Sequence, residues 1–377
     1  MKNITLIKYH LNKKGGLEKY FFSFLDYLIK NNYFITIITS DASILESSKN
    51  IKIVTLKLKK TLKFLKLKEF DLLLNDYLKN NKIGKVFSFD RVSFHNYTRL
   101  GNGVHLSFLN KRKLTESFFK TFLNKINPLH KTILDIERKS LKFVHLKKII
   151  VNSNMVKNEL INYYQVDSKK IQVIHNGVEI KNNEEDFLSS FKNPNNCYEK
   201  TSLNPNNYNL LFIANDFKRK GLLPLLKAIY LLKEKNIFLS IVGSDKKIDK
   251  YKKLIKKLNI ENKVKFFGSL NNVNDFYKCC TIFILPTIYD PFSNVAIEAL
   301  SYGLFTITTE HNGACEVIDK KNGYILKNAV DIYEIKKSIS LAMQYKKNLE
   351  NATKIRNSIL HLDFSNQLNK LLNVINE

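Results

Sequence analysis

Long apolar runs are missing from this sequence of 377 residues, which excludes a bilayer-crossing helix of about 20 consecutive apolar residues. The opening residues, MKNITLIKYH, have a charged start and an apolar part too short for a secretory signal. They read as the first strand of a folded domain. Cysteine is scarce as well. The four cysteines, at 197, 279, 280 and 315, lack the paired spacing of a metal site, and the adjacent Cys279-Cys280 reads as small core residues at a helix end. No metal or other cofactor is expected, and a reduced, cytoplasmic compartment is. Arginine makes up only six of the 62 basic residues. A net charge of +28 invites a nucleic-acid partner, yet bidentate contacts to phosphates and bases favour Arg over Lys. Asn and Ile are abundant beside Lys, as an AT-rich genome alone would produce, so no nucleic-acid partner is expected. The surplus is nevertheless uneven. Residues 1–175 carry 33 basic against 13 acidic side chains, and the remainder 29 against 21.

What the sequence does contain is an alternation of short apolar runs with longer amphipathic segments, the pattern of doubly wound parallel α/β sheets. Its length favours two such domains. Strands are expected at Ile4–Lys8, Phe34–Thr39, Ile51–Leu56, Lys85–Phe89 and Lys148–Val151, then at Leu210–Ala214, Phe238–Val242, Val264–Phe267, Ile282–Leu285 and Leu304–Thr308. Residues 111–147 and 331–377 read as helices. Residues 180–207, rich in Asn and poor in periodicity, read as a linker between a domain at 1–179 and one at 208–345. Residues 346–377 would form terminal helices crossing back to the first domain. The run KLKKTLKFLKLK at 57–68 has six lysines and no acid. It is either a solvated helix packing Leu58, Leu62 and Leu65 on the core or an element for an anionic membrane surface.

One stretch carries the most chemistry: TIFILPTIYDPFSNVAIEALSYG, Thr281 to Gly303. A buried strand stopped by Pro286 leads into a loop holding Asp290-Pro291-Phe292-Ser293-Asn294. A helix follows, with Glu298 one turn inside and Gly303 at its end. In an open parallel sheet such a loop borders the ligand crevice. The helix start offers unpaired N–H groups to a phosphate, and a carboxylate can accept two sugar hydroxyls at once. A second strand–helix junction, Asn215-Asp216-Phe217-Lys218-Arg219-Lys220-Gly221, adds cations suited to a diphosphate.

The Asp290–Glu298 stretch resembles the donor signature of retaining glycosyltransferases of family 4, which have the two-domain GT-B fold. The family more often has Glu where this chain has Asp290. The form with Asp, and the Phe-x-Arg-Lys-Gly run, are similar to members that build the bacterial lipopolysaccharide core. TRLGNGVHLSFLNKR, Thr98 to Arg112, is similar to a core-builder segment through Gly101, Gly103, Val104 and His105. Asn102 stands where that pattern has Asp, and Asn cannot serve as a base; Asp90, at the end of the preceding strand, could offer a carboxylate instead. Asn215 stands where many members have Arg. By themselves Gly15 and Gly16 describe no more than a tight turn; in the family that loop lies against the donor diphosphate and the acceptor. In the family the loop matching Thr309–Gly313 faces the same crevice.

The resemblance implies two Rossmann-like domains facing across a cleft, and transfer of a hexosyl group from a nucleotide sugar with retention of configuration. UDP-glucose or UDP-N-acetylglucosamine would be the donor and a lipopolysaccharide or lipooligosaccharide core the acceptor. It gives Arg219, Lys220 and the helix start at Phe292–Asn294 the diphosphate, Asp290 the sugar hydroxyls, Glu298 the ribose, and His105 the donor sugar. The implied partners are the nucleotide sugar, a lipid-linked glycan and the anionic inner-membrane surface, to which the protein would bind peripherally. The competing readings are another acceptor (capsule, protein glycan or teichoic acid), another enzyme on the same fold such as an epimerase, and a basic nucleic-acid-binding module.

Overall fold

The structure, a computed structural model, describes residues 2–11, 16–43, 45–81, 83–233 and 235–377. The expected contact at Gly15 therefore lies outside the described residues. The chain divides into two compact units, one of residues 1–175 with 367–377, the other of 176–366.

The first unit is built on β1 (Lys2–Ile7), β2 (Tyr33–Thr39), β3 (Ile51–Thr55), β4 (Lys85–Ser88), β5 (Tyr97–Arg99), β6 (Lys148–Val151) and β7 (Ile171–Val173). They form one sheet in the order β3-β2-β1-β4-β5-β6-β7, every pair parallel. Strands covered on both faces must be apolar almost throughout, and Ile4, Leu6, Ile7, Ile35, Ile37, Ile38, Ile149, Ile150 and Val151 are all buried.

The second sheet has β8 (Tyr208–Ile213), β9 (Ile237–Val242), β10 (Val264–Gly268), β11 (Ile282–Leu285), β12 (Phe305–Thr309) and β13 (Gly323–Leu326). Its order is β10-β9-β8-β11-β12-β13, again all parallel. In each sheet the strand order turns back on itself once, between β1 and β4 and between β8 and β11. Loops leaving the carboxyl ends of such a strand pair form the ligand crevice of open α/β sheets.

Three expectations need correction. Residues 180–207 are not a patternless linker, because they hold helices Glu184–Lys192 and Pro194–Thr201. Glu184, Glu185 and Asp186 occupy the first turn of one helix, where they oppose its dipole, and Pro194 starts the other. Phe187 and Cys197 are buried and hold both helices in the second unit. The return to the first unit comes at residue 367 rather than 346, so helix Leu349–Ser358 stays with the second unit. Finally, the run at 57–68 forms no three-leucine face. The helix there starts only at Lys63. The Glu69 carboxylate accepts the backbone N–H groups of Lys59 and Lys60 at 2.9–3.1 Å. This ties down the preceding turn, and Leu58 packs against the core.

Candidate active site

In the second unit the site begins with Phe217. It is fully buried, in contact with Phe212, Tyr251 and Phe266, and its backbone N–H donates to Asp245 at 2.7 Å. That anchor sets the next three residues. Arg219 donates to Asp216 through its backbone N–H at 3.2 Å and its Nε at 3.3 Å, and through Nη1 to the Tyr289 carbonyl at 2.9 Å. Its own carbonyl accepts from Ile288 N–H at 2.9 Å and the Thr287 hydroxyl at 3.1 Å. Gly221 follows with φ +79°, and a Cβ there would stand 1.9 Å from the Pro286 carbonyl oxygen. Only glycine lets the loops after β8 and β11 touch backbone to backbone.

Between those loops Lys220 is ion-paired with Asp290, both buried. Burial pulls the Lys220 ammonium below its ordinary pKa and the Arg219 charge pushes the same way, while Asp290 opposes both. The carboxylate thus works against the loss of charge that burial favours.

Asp290 is fixed by its backbone, which donates to the His311 carbonyl and accepts from Gly313 N–H, both at 2.9 Å. Asn312 braces the same loop. Its Oδ1 accepts from Ser293 and Ala314 N–H at 3.1 Å, and its Nδ2 donates to the Thr308 hydroxyl at 2.9 Å. Helix Asn294–Ser301 starts at Ser293, whose side chain makes no capping bond. The buried Ser293 hydroxyl has no hydrogen-bond partner among the described residues. A helix start leaves four N–H groups without intrahelical partners. Here it keeps an unspent hydroxyl beside them. Asn176 donates to the Phe292 carbonyl at 3.1 Å and to Asn294 at 2.6 Å. Glu298, one turn on, accepts from the Tyr277 hydroxyl at 2.9 Å. Tyr277 stacks on Tyr302, and burial with the Glu298 charge drives its phenol well above the usual pKa. Gly303 ends the helix with φ +72°.

In the first unit, Gly16 opens helix Gly16–Lys30 after β1, Asp90 follows β4, and Asn102 and His105 follow β5. Asp90 is already engaged: it accepts from Tyr9 N–H at 2.8 Å and pairs with the buried Lys8 at 3.3 Å. Asn102 is exposed. His105 starts helix His105–Arg112, and its N–H donates to the Glu137 carboxylate at 3.0 and 3.2 Å. The same buried carboxylate accepts from Arg91 Nε at 2.8 Å and the Tyr164 hydroxyl at 2.7 Å. The His105 ring meets His130 at 3.1 Å. Lys8, Arg91, His130 and Glu137 are the members that sequence reasoning did not find. Among the described residues no group of three or more His, Cys, Asp or Glu is placed to hold a metal ion.

Burial, then Arg91, draws the His105 pKa down to about 3, and burial draws that of His95 down to about 4. Both native values lie below the unfolded value near 6.5, so unfolding takes up protons between them. Stability from these imidazoles is therefore complete above about pH 6.5 and is lost as pH falls toward 4, at up to about 1.4 kcal/mol per unit for each. The urea midpoint should drop between about pH 7 and pH 5; an unchanged midpoint would contradict these burials.

Two family models cover nearly the whole chain between them: Glycosyltransferase Family 4 matches residues 14–182, and Glycosyl transferases group 1 matches residues 197–358. The lipopolysaccharide glucosyltransferase WaaG of Escherichia coli is 24% identical over 207 residues, 54% of each chain. The aligned stretches span 60, 45 and 54% of the length of three curated relatives. A crystal structure of WaaG, a glycosyltransferase involved in lipopolysaccharide biosynthesis, superposes with TM-score 0.80 at 18% identity, covering 99% of both chains. A structure of Anabaena HepE in complex with UDP superposes with TM-score 0.72 at 15% identity, covering 100% of both.

Proposed function

Because the chain belongs to family 4 of the glycosyltransferases, with the GT-B pair of parallel-sheet domains, we propose that it moves a hexosyl group from a nucleotide sugar to a lipid-linked glycan with retention of configuration. The observation that carries this reading is the cluster at the β8–β11 switch point. Arg219, the Lys220–Asp290 pair, the unspent Ser293 hydroxyl and an uncapped helix start sit on adjoining loops. A nucleoside diphosphate suits this cluster. Its oxygens meet the helix N–H groups, Ser293 and Arg219, and its charge replaces Asp290 as the counter-ion of Lys220. Asp290 is then free to accept sugar hydroxyls, and Glu298, steadied by Tyr277, takes the ribose.

The sugar C1–O bond to phosphate breaks as the acceptor oxygen bonds to C1 on the same face. The acceptor proton passes to the departing phosphate oxygen, so no side-chain nucleophile is needed and configuration is retained. Arg219 and Lys220 carry the leaving charge, a task that otherwise falls to a metal. On the first unit, Asp90 and Asn102, after β4 and β5, would meet the acceptor, and neutral His105 would touch the donor sugar. UDP is the nucleotide favoured by the HepE complex, and glucose or N-acetylglucosamine on a lipopolysaccharide or lipooligosaccharide core is favoured by the WaaG likeness. Such an acceptor is anchored in the inner membrane, and a protein using it would bind that surface peripherally from the cytoplasm.

A thermal-shift panel of UDP-, GDP- and ADP-sugars tests the reading. UDP-glucose or UDP-N-acetylglucosamine should raise the midpoint, and turnover should persist in EDTA. No shift with any nucleotide sugar would sink the assignment, and loss of turnover restored only by magnesium or manganese would overturn its metal-free chemistry.

A further inference from the structure

Helix Phe118–Ile126 is turned inside out. None of its residues is buried, and it presents Phe118 at 89% exposure and Phe119 at 70%, with Phe122, Leu123 and Ile126 also exposed. At 100° per residue these five fall within an arc of about 140°, with Lys120 and Lys125 at its two borders. The polar side faces the protein instead. Asn124 donates to Glu116 at 2.7 Å, and Ser117 caps the helix start. Leu114, just before the helix, is exposed too.

An apolar face of this kind is ordinarily covered, and the charges around it say by what. Lys111, Arg112, Lys113, Lys120, Lys125 and Lys131 surround the helix in sequence, and Glu116 is the one acid between residues 91 and 134. That acid is already spent, paired with Arg112 at 2.7 Å and Lys120 at 3.4 Å. A second copy of this face would bring cations against cations. A surface apolar beneath and negative above matches it, since phenyl rings sink below the headgroups while lysines reach back to lipid phosphates.

We propose that helix Phe118–Ile126 is the membrane-binding element of this protein, lying in the headgroup layer of an anionic bilayer. The inference rests on the membrane-anchored acceptor proposed above and moves the contact away from the lysines of 57–68, whose Leu58 is packed on the core.

Flotation of the full chain with vesicles tests it. Wild type should bind phosphatidylglycerol-containing vesicles at least about tenfold better than phosphatidylcholine alone, less so in high salt. Phe118→Ser with Phe119→Ser and Phe122→Ser should lose about tenfold or more of that binding with little loss in urea midpoint, because the three rings are mostly exposed. Lys120→Gln with Lys125→Gln should weaken binding and flatten its salt dependence, whereas Gln at Lys59, Lys60, Lys63 and Lys66 should leave it within about twofold. Undiminished binding of the Phe variant overturns the proposal. So does loss of binding in the four-Gln variant, or a wild-type dimer that the Phe variant converts to monomer. Nucleotide-sugar thermal shifts on the same variants keep the two readings apart: loss of donor binding would count against the transferase, and loss of vesicle binding only against this helix.

Discussion

Lys220→Met should destabilise the second unit by about 3–5 kcal/mol, because it strands a buried carboxylate with no counter-charge. Lys220 and Asp290 are 7% and 8% exposed, so water cannot take the place of the missing partner. The double variant Lys220→Met/Asp290→Leu removes both charges and should recover most of the loss, since a buried ion pair adds little over a packed apolar pair. Catalysis should not follow stability. Both variants lose a cation proposed to carry the leaving phosphate, and each should fall about a hundredfold or more in kcat/KM. Urea midpoints and turnover on the same preparations separate the effects. A double variant as unstable as the single would show that burial of the pair is not what makes it costly to break. Near-normal turnover in either would remove Lys220 from the diphosphate.

The second large effect is expected in the first unit. Glu137→Leu leaves the Arg91 charge, the His105 N–H and the Tyr164 hydroxyl without their shared acceptor. It should cost about 3–5 kcal/mol, and Glu137→Gln, which keeps one acceptor oxygen, about 1–3 kcal/mol. Backbone exchange should rise first at His105, whose amide starts its helix on that carboxylate. Equal urea midpoints for wild type and the Leu variant would show that the carboxylate does not hold the β5 loop.

These two positions differ in how far the sequence announces them. Asp290, Ser293 and Glu298 lie in one contiguous strand–loop–helix stretch, so spacing alone puts them on one rim. Arg219 and Lys220 follow a run, Leu210 to Ile213, apolar enough to be only a buried strand. Glu137 meets His105 from 32 residues away, on a helix whose sequence reads as one more basic, amphipathic segment. No local pattern marks a residue whose partners come from three other elements. Lys8 was hidden the same way, as the last residue of an expected strand. The strand β5 has three residues, one of them Arg99, and β13 is half exposed, so neither shows a buried period. Helices Glu184–Lys192 and Pro194–Thr201 look like linker in the sequence because Asn and Ser are weak helix formers. Tertiary burial of Phe187 and Cys197 overrides that preference.

The division of the chain also sets an order of assembly. Residues 176–366 make a contiguous unit that can fold as soon as it leaves the ribosome. The first unit stays incomplete until residues 367–377 have been added. Leu371 and Ile375 of that segment are fully buried, and Asn376 accepts from the Tyr33 hydroxyl at 2.6 Å. At about 5–20 residues per second, the older half of the chain waits on the order of 10–40 s for the piece that completes it. During that wait the second unit is still being made, and it is the incomplete sheet of β1 to β7 that a chaperone has to shield.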